Sequence, residues 1–226
     1  SDVYKSQYKV QSIVSILGLA VGFVCFALST LWIRYEMTYD TFHEGAERIY
    51  LVRAHYAHEP GKISNSTPYP LADYLQKGNP EIEAMASTSV QKVKFRVKDT
   101  EKDVVSAAAD SVLMNFFNIR VLRGTVNFLK GTNGEIAITE EFSKRIFGEE
   151  EALGREVEVS GHASKVGAIV SGWSSHSNIP YSILTSARHY TQWGSANENL
   201  FVRIRKGTNG EEFQKKIAAL RINDIE

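Results

Sequence analysis

The chain has 226 residues, 43% of them hydrophobic, and its 26 basic side chains are balanced by 26 acidic ones. That length suffices for one or two small cored domains. Zero net charge argues against non-specific nucleic-acid binding, which needs an excess of Lys and Arg to neutralise phosphates. A single cysteine, Cys25, excludes an internal disulfide and disfavours a Cys-based zinc site. The chain starts at Ser1 rather than Met and ends at Glu226 soon after a helical pattern, so it reads as a fragment of something longer.

From Val10 to Ile33 no residue is charged. A helix over residues 13–33 spans roughly 30 Å, the thickness of a bilayer's hydrocarbon core. A secretory signal has a shorter apolar region followed by small residues; here the run closes on Leu31-Trp32-Ile33-Arg34-Tyr35. Tyr4 and Tyr8 before the run, and Trp32, Tyr35 and Tyr39 after it, fit an interfacial aromatic belt. The reading is a transmembrane helix over 11–34 in contact with the lipid bilayer. Lys5 and Lys9 against Arg34 favour a cytoplasmic segment over 1–10. Ser15, Gly18, Gly22, Cys25 and Ser29 recur at spacings of 3 and 4 and share one face. Such a small-residue face lets another helix backbone approach closely, so the helix is expected to pack against other membrane helices.

The soluble part, 35–226, reads as α+β. Arg48–Tyr56 is rich in aromatic and branched residues and predicts a strand; residues 64–70 predict a turn-rich loop. Pro70 suits the first turn of a helix ending near Gly78-Asn79-Pro80. Val93, Phe95 and Val97 alternate with Lys92, Lys94, Arg96 and Lys98, predicting a strand over 90–97, paired through a turn with 103–109. Asp110 can cap a helix over 111–117. A strand over 135–138 leads to Thr139, which can cap a helix over 140–147 ended by Gly148. Strands over 156–159, 166–171 and 200–205 precede a last helix over 211–222, whose apolar face is Phe213, Ile217 and Leu220. Lys130-Gly131-Thr132-Asn133-Gly134-Glu135 recurs word for word at 206–211, once before a strand and once before a helix. It is read as shared turn chemistry, not an internal repeat.

The apparatus of an enzyme is absent from the sequence. There is no phosphate-binding Gly-x-x-x-x-Gly-Lys-Ser/Thr loop, no Gly-x-Ser-x-Gly elbow and no His-Glu-x-x-His. His55 and His58, placed on a strand, point to opposite faces and do not converge on a metal. Ser174-Ser175-His176-Ser177 lies in a polar loop without an orienting carboxylate. Asn65-Ser66-Thr67 fits a glycosylation sequon that matters only in a eukaryotic secretory setting. Phe116, Phe117 and Trp193 are read as core or rim. No catalytic, metal or cofactor residues are assigned.

Several segments together suggest a family. Residues 17–22 (LGLAVG), 35–43 (YEMTYDTFH) and 47–50 (ERIY) resemble the start of MacB/FtsX-type ABC transporter permeases. Residues 110–124, 138–148 with Leu153-Gly154, and 166–170 followed by Ser177-Asn178-Ile179-Pro180 resemble later segments of that family in the same order. Gly172-Trp173-Ser174-Ser175 departs from it, since relatives tend to carry an acidic residue and a proline there. The resemblance implies the first transmembrane helix plus the periplasmic core domain of an inner-membrane permease. Its expected architecture is a porter-like β-α-β lobe, about 45–100 and 197–226, with a second mixed α/β lobe, about 101–196, inserted into it. Expected partners are an ATP-binding cassette ATPase, a second permease copy, a periplasmic adaptor and an outer-membrane channel. Tyr35, Glu36, Tyr39, Asp40 and Phe42 are expected to form the junction that carries helix motion into the domain. The competing reading is a membrane-anchored periplasmic sensor or ligand-binding module.

Overall fold

The computed structural model describes residues 2–37, 45–172, 177 and 181–221. The chain divides into two units, residues 1–41 and 42–226. The described residues of the first form one helix, α1, Asp2–Met37. Its stretch Gln11–Met37 is long and apolar enough to cross a membrane. An α-helix satisfies its own backbone, which an apolar environment demands. Thr30 Oγ1 adds to this by donating to the Phe26 carbonyl at 2.9 Å. The helix runs past Ile33 through Arg34 to Met37, as expected for a segment without Pro or Gly after Gly22.

The second unit contains a four-stranded sheet and a small barrel. The sheet is built on β13, Ala196–Ile204. β5, Ile82–Thr88, runs antiparallel along one edge of β13. The other edge is shared end to end by β1, Ile49–Leu51, and β4, Ser66–Pro68. Side chains alternate across β13. Leu200, Val202 and Ile204 meet Leu71 and Leu75 of α2, Leu71–Gly78, and Phe213 of α5, Gly210–Ala218. Phe201 points the other way, into a core with α3, Ser111–Phe116.

The barrel is a closed ring of six strands in the order β10-β6-β7-β12-β9-β11, with β10 pairing back to β11. These are β6, Val90–Val97; β7, Thr100–Ala109; β9, Glu135–Thr139; β10, Glu156–Val159; β11, His162–Val170; and β12, Ile183–Ser186. β8, Val121–Gly124, is a further strand on β11. β7–β12 and β9–β11 are parallel, the rest antiparallel, so the barrel is mixed. Closure removes open sheet edges. The β10–β11 hairpin turns on Ser160 and Gly161, both left-handed at φ 50° and 83°, as a two-residue turn matching strand twist requires. Val93, Phe95, Val104, Ile136, Ile138, Val157, Val166 and Ile183 form the inner core, joined by Phe142 of α4, Glu140–Phe147. The lobe boundary drawn at 100/101 falls one residue into β7, which pairs with β6 along the whole of β6.

Local signals placed several elements as expected. Asp110 accepts from the Leu113 amide at 2.7 Å, Thr139 from the Phe142 amide at 3.2 Å, and Gly148 follows α4 at φ 60°. Thr139→Val removes the cap while keeping the shape of a 4%-exposed side chain, and is expected to cost about 1 kcal/mol in denaturant unfolding. In the repeated hexapeptide, Asn133 accepts from the Glu135 amide and Asn209 from the Glu211 amide, at 3.2 and 3.1 Å. The same Asx turn thus opens a strand in one place and a helix in the other.

Other expectations are corrected. The strand over 48–56 is broken: Ala46–Arg48 is a 3-10 turn, β1 pairs with β13, and β2, Ala54–His55, pairs instead with β3, Ile63–Ser64. The loop over 64–70 contains β3's end and β4, drawn into the sheet by β13. β5, β8 and β12 were not expected from the sequence. The last helix stops at Ala218, four residues early, and residues 222–226 lie outside the described residues.

Candidate functional site

On α1, Ser15, Gly18, Gly22, Cys25 and Ser29 are all exposed on one side of the helix. A methyl group added at Gly18 or Gly22 would meet nothing within 4 Å in this chain. Of the expected junction, Tyr35 and Glu36 form part of the last turn of α1, with the Tyr35 ring 6.4 Å from that of Trp32. Tyr39, Asp40 and Phe42 lie outside the described residues.

Where the soluble unit begins to be described, Arg48 ties its first turn to the sheet. Gly45 adopts φ 71°, and Arg48 Nη1 donates to Glu83 Oε2 on β5 at 2.5 Å and to the Ile204 carbonyl on β13 at 2.7 Å. The hydrogen bond from Arg48 holds the Glu83 carboxyl below the usual carboxylate range. One side chain thus bridges β5 and β13 at the base of β1.

A second polar cluster was missed by sequence reasoning. His189, in the segment between β12 and β13, stands between two carboxylates: Nε2 is 3.2 Å from Asp110 Oδ2, and Nδ1 is 3.0 and 3.1 Å from the two oxygens of Glu198. Glu198 is only 3% exposed and also accepts from Ser87 Oγ of β5. The His189 ring stacks on Tyr69 at 4.0 Å. Hydrogen bonds donated to Asp110 and Glu198 outweigh burial and push the His189 imidazolium up to about 9. Burial alone would raise the Asp110 carboxyl; its bonds with His189 and the Leu113 amide bring it below the ordinary value. The signal in the sequence was Glu198: it stands two residues before Leu200, on the apolar side of an alternating strand. Asp110 was recognised as a cap, but a cap oxygen has capacity for a further partner.

Other candidate groups stay apart from chemistry. His55 is exposed on β2; His58 is exposed in the turn after it, not on a strand, with its ring 5.5 Å from that of Tyr56. Of the Ser174–Ser177 run only Ser177, buried, is described. Phe116 and Phe117 are buried in the core between sheet and barrel, their rings 4.8 Å apart, and Trp193 packs edge-on against Tyr74. Arg203 of β13 lies over the Phe116 ring and donates to the Phe116 carbonyl. Among the described residues no group of three His, Cys, Asp or Glu side chains is arranged to hold a metal ion.

The described residues thus define a class of protein in which a helix long and apolar enough to cross a membrane precedes a sheet-plus-barrel domain. The family described as MacB-like periplasmic core domain matches residues 12–220, and the chain belongs to that family. Solved structures share the fold. A domain described as that of a permease protein from Porphyromonas gingivalis aligns with a TM-score of 0.62 at 19% identity, over 77% of this chain and 82% of that one. The extracellular domain of the noncanonic ABC-type transporter YknZ from Gram-positive bacteria gives 0.52 at 15%, over 73% and 86%. The periplasmic region of MacB from Actinobacillus actinomycetemcomitans gives 0.52 at 12%, over 75% and 79%. No curated protein sequence matches the chain. Family membership implies an ABC ATPase partner, and no ATPase domain is present in these 226 residues.

Proposed function

We propose that this chain couples ATP hydrolysis by a cytoplasmic ABC ATPase to motion of its own periplasmic domain, for substrate export, substrate extraction or transmembrane signalling. It would act from the bacterial inner membrane with the domain in the periplasm, as one of two permease copies, with a periplasmic adaptor and outer-membrane channel as the further partners of an exporter. The observation that carries this reading is that the family match starts inside α1, at residue 12, and runs without interruption to residue 220. Helix and domain therefore belong to one family unit, not to a generic anchor fused to a soluble module.

The face of Ser15, Gly18, Gly22, Cys25 and Ser29 is assigned to packing against neighbouring membrane helices. Tyr35, Glu36, Tyr39, Asp40 and Phe42 are assigned to the junction; within the second unit, Arg48 ties the turn Ala46–Arg48 to β5 and β13. A rigid connection is required if a helix displacement is to reach the sheet undamped. Inserting a flexible Gly-Ser segment after Tyr35 in the assembled transporter is therefore expected to abolish transport while ATP hydrolysis continues. Undiminished transport by the insertion variant removes the junction from the mechanism.

A further inference from the structure

We infer that His189 is a proton-held clasp fastening the end of the barrel to the four-stranded sheet. Three chain segments meet at it. Asp110 terminates β7, a barrel strand, and caps α3. His189 follows β12, which lies parallel to β7 up to Ser186↔Ala109 and continues with the Ala187 amide donating to the Ala109 carbonyl at 2.9 Å. Glu198 belongs to β13, the strand on which the sheet is built. His189 is thus the side chain that bonds to a barrel group with one ring nitrogen and to a sheet group with the other.

The geometry itself demands a proton. A neutral imidazole has one N–H donor and one lone pair, whereas an imidazolium has two donors. Here both ring nitrogens face carboxylate oxygens, which accept only. Loss of the proton would turn a nitrogen lone pair toward an anionic oxygen and break one of the two links. Glu198 cannot turn to water instead, being buried and held by Ser87.

The groups facing His189 are Asp110 from the barrel, Glu198 from β13, and the phenol of Tyr69, which precedes α2; Asp73 of α2 acts on Tyr69. Arg188 and Tyr190 flank it on its own segment. Burial raises the Tyr69 phenol, so it stays neutral beside the ring. His189 is raised from 6.5 to about 9, so its contribution is complete below 6.5 and is lost as pH climbs through about 9. Asp110 is lowered from 3.8, so its contribution is present above that value and is lost as pH falls through its depressed value. The clasp is closed across neutral pH and opens in alkali or strong acid. Closed, it adds a charged link between sheet and barrel; open, it leaves them joined by their shared apolar core, the Thr88 hydroxyl donating to the Ala108 carbonyl, Arg203 donating to the Phe116 carbonyl, and covalent connections. This inference stands apart from the transport reading, since it concerns only contacts within the soluble unit.

The test uses the full chain in detergent micelles. Nitrogen-15 spectra of labelled histidine are expected to show both His189 ring nitrogens protonated at pH 7, with a midpoint near 9. Hydrogen exchange, corrected for the intrinsic pH dependence, is expected to accelerate at least tenfold in segments 107–113 and 186–199 above the midpoint. The same change is expected at pH 7 in His189→Gln, with segments 93–97 and 157–166 keeping their protection. A midpoint near 6.5, or a neutral ring at pH 7, overturns the clasp. So does an unchanged or uniformly accelerated exchange pattern on crossing the midpoint. The wild-type titration and exchange decide the matter even if the variant does not fold.

Discussion

Phe95→Ala is expected to lower the unfolding free energy of the domain by about 3–5 kcal/mol, the range for emptying a buried aromatic site. Phe95 is 1% exposed at the centre of the barrel and meets Phe142 edge to face at 5.0 Å. Phe142 is carried by α4 but held in the barrel core, so removing Phe95 also strips an aromatic contact from this helix. A closed ring of six strands cannot collapse around the void without breaking ladder hydrogen bonds, so the cavity term persists. Denaturant unfolding in micelles, followed by near-ultraviolet circular dichroism, measures the loss. Lys94→Ala, one residue away on the solvent face, is expected to leave the midpoint in place although it removes the ion pair with Glu101. Equal shifts for the two variants would refute the assigned faces of β6.

Gly124→Ala is the second large effect, and its cause is backbone rather than packing volume. Gly124 ends β8 at φ 86°, and a Cβ there would lie 2.3 Å from the Gly167 carbonyl oxygen and 2.9 Å from Ala168 Cα on β11. A left-handed non-glycine residue costs about 1–2 kcal/mol, and overpacking against atoms that cannot swing away adds about 1–3 kcal/mol. The expected loss is therefore about 2–5 kcal/mol, with β8 peeling from β11 first. Hydrogen exchange should show this as early loss of protection at 121–125. By contrast, Gly148→Ala, also at positive φ but in open space, meets nothing within 4 Å and carries only the backbone penalty. A Gly124→Ala protein as stable as the parent would mean that β8 does not lie against Gly167.

The parallel between these two sites and the His189 clasp is that each joins segments distant in sequence. Phe95 and Phe142, Gly124 and Gly167, Asp110 and His189 are brought together by strand order, not by neighbouring residues. The clasp adds a charged link where the barrel and sheet also meet through the apolar cluster of Leu113, Met114, Phe116, Phe117 and Ala86 and through the neutral-acceptor bonds of Thr88 to Ala108 and Arg203 to Phe116. A soft apolar contact permits sliding, whereas charge-assisted hydrogen bonds have a preferred geometry.

What the sequence determined alone is whatever depends on residues a few positions apart. The uncharged run from Val10 to Ile33 specifies α1, because an apolar environment forces backbone polar groups to pair within the segment. Alternation specifies β6 and its buried face, and the Thr139 cap with the Gly148 stop delimits α4 to the residue. The order of short motifs along the chain carried the family resemblance. Tertiary structure decided the rest. β5 reads Ile-Glu-Ala-Met-Ala-Ser-Thr, without sustained alternation and with β-branched residues only at its two ends, and is a strand because β13 offers it a full ladder. β4 includes Pro68 and is a strand at β13's other edge for the same reason. Closure of the barrel through β10, and the meeting of Asp110, His189 and Glu198, rest on hydrogen-bonded pairs up to 79 positions apart. No local period encodes such contacts; they form only after the chain has met the entropic cost of closing those loops.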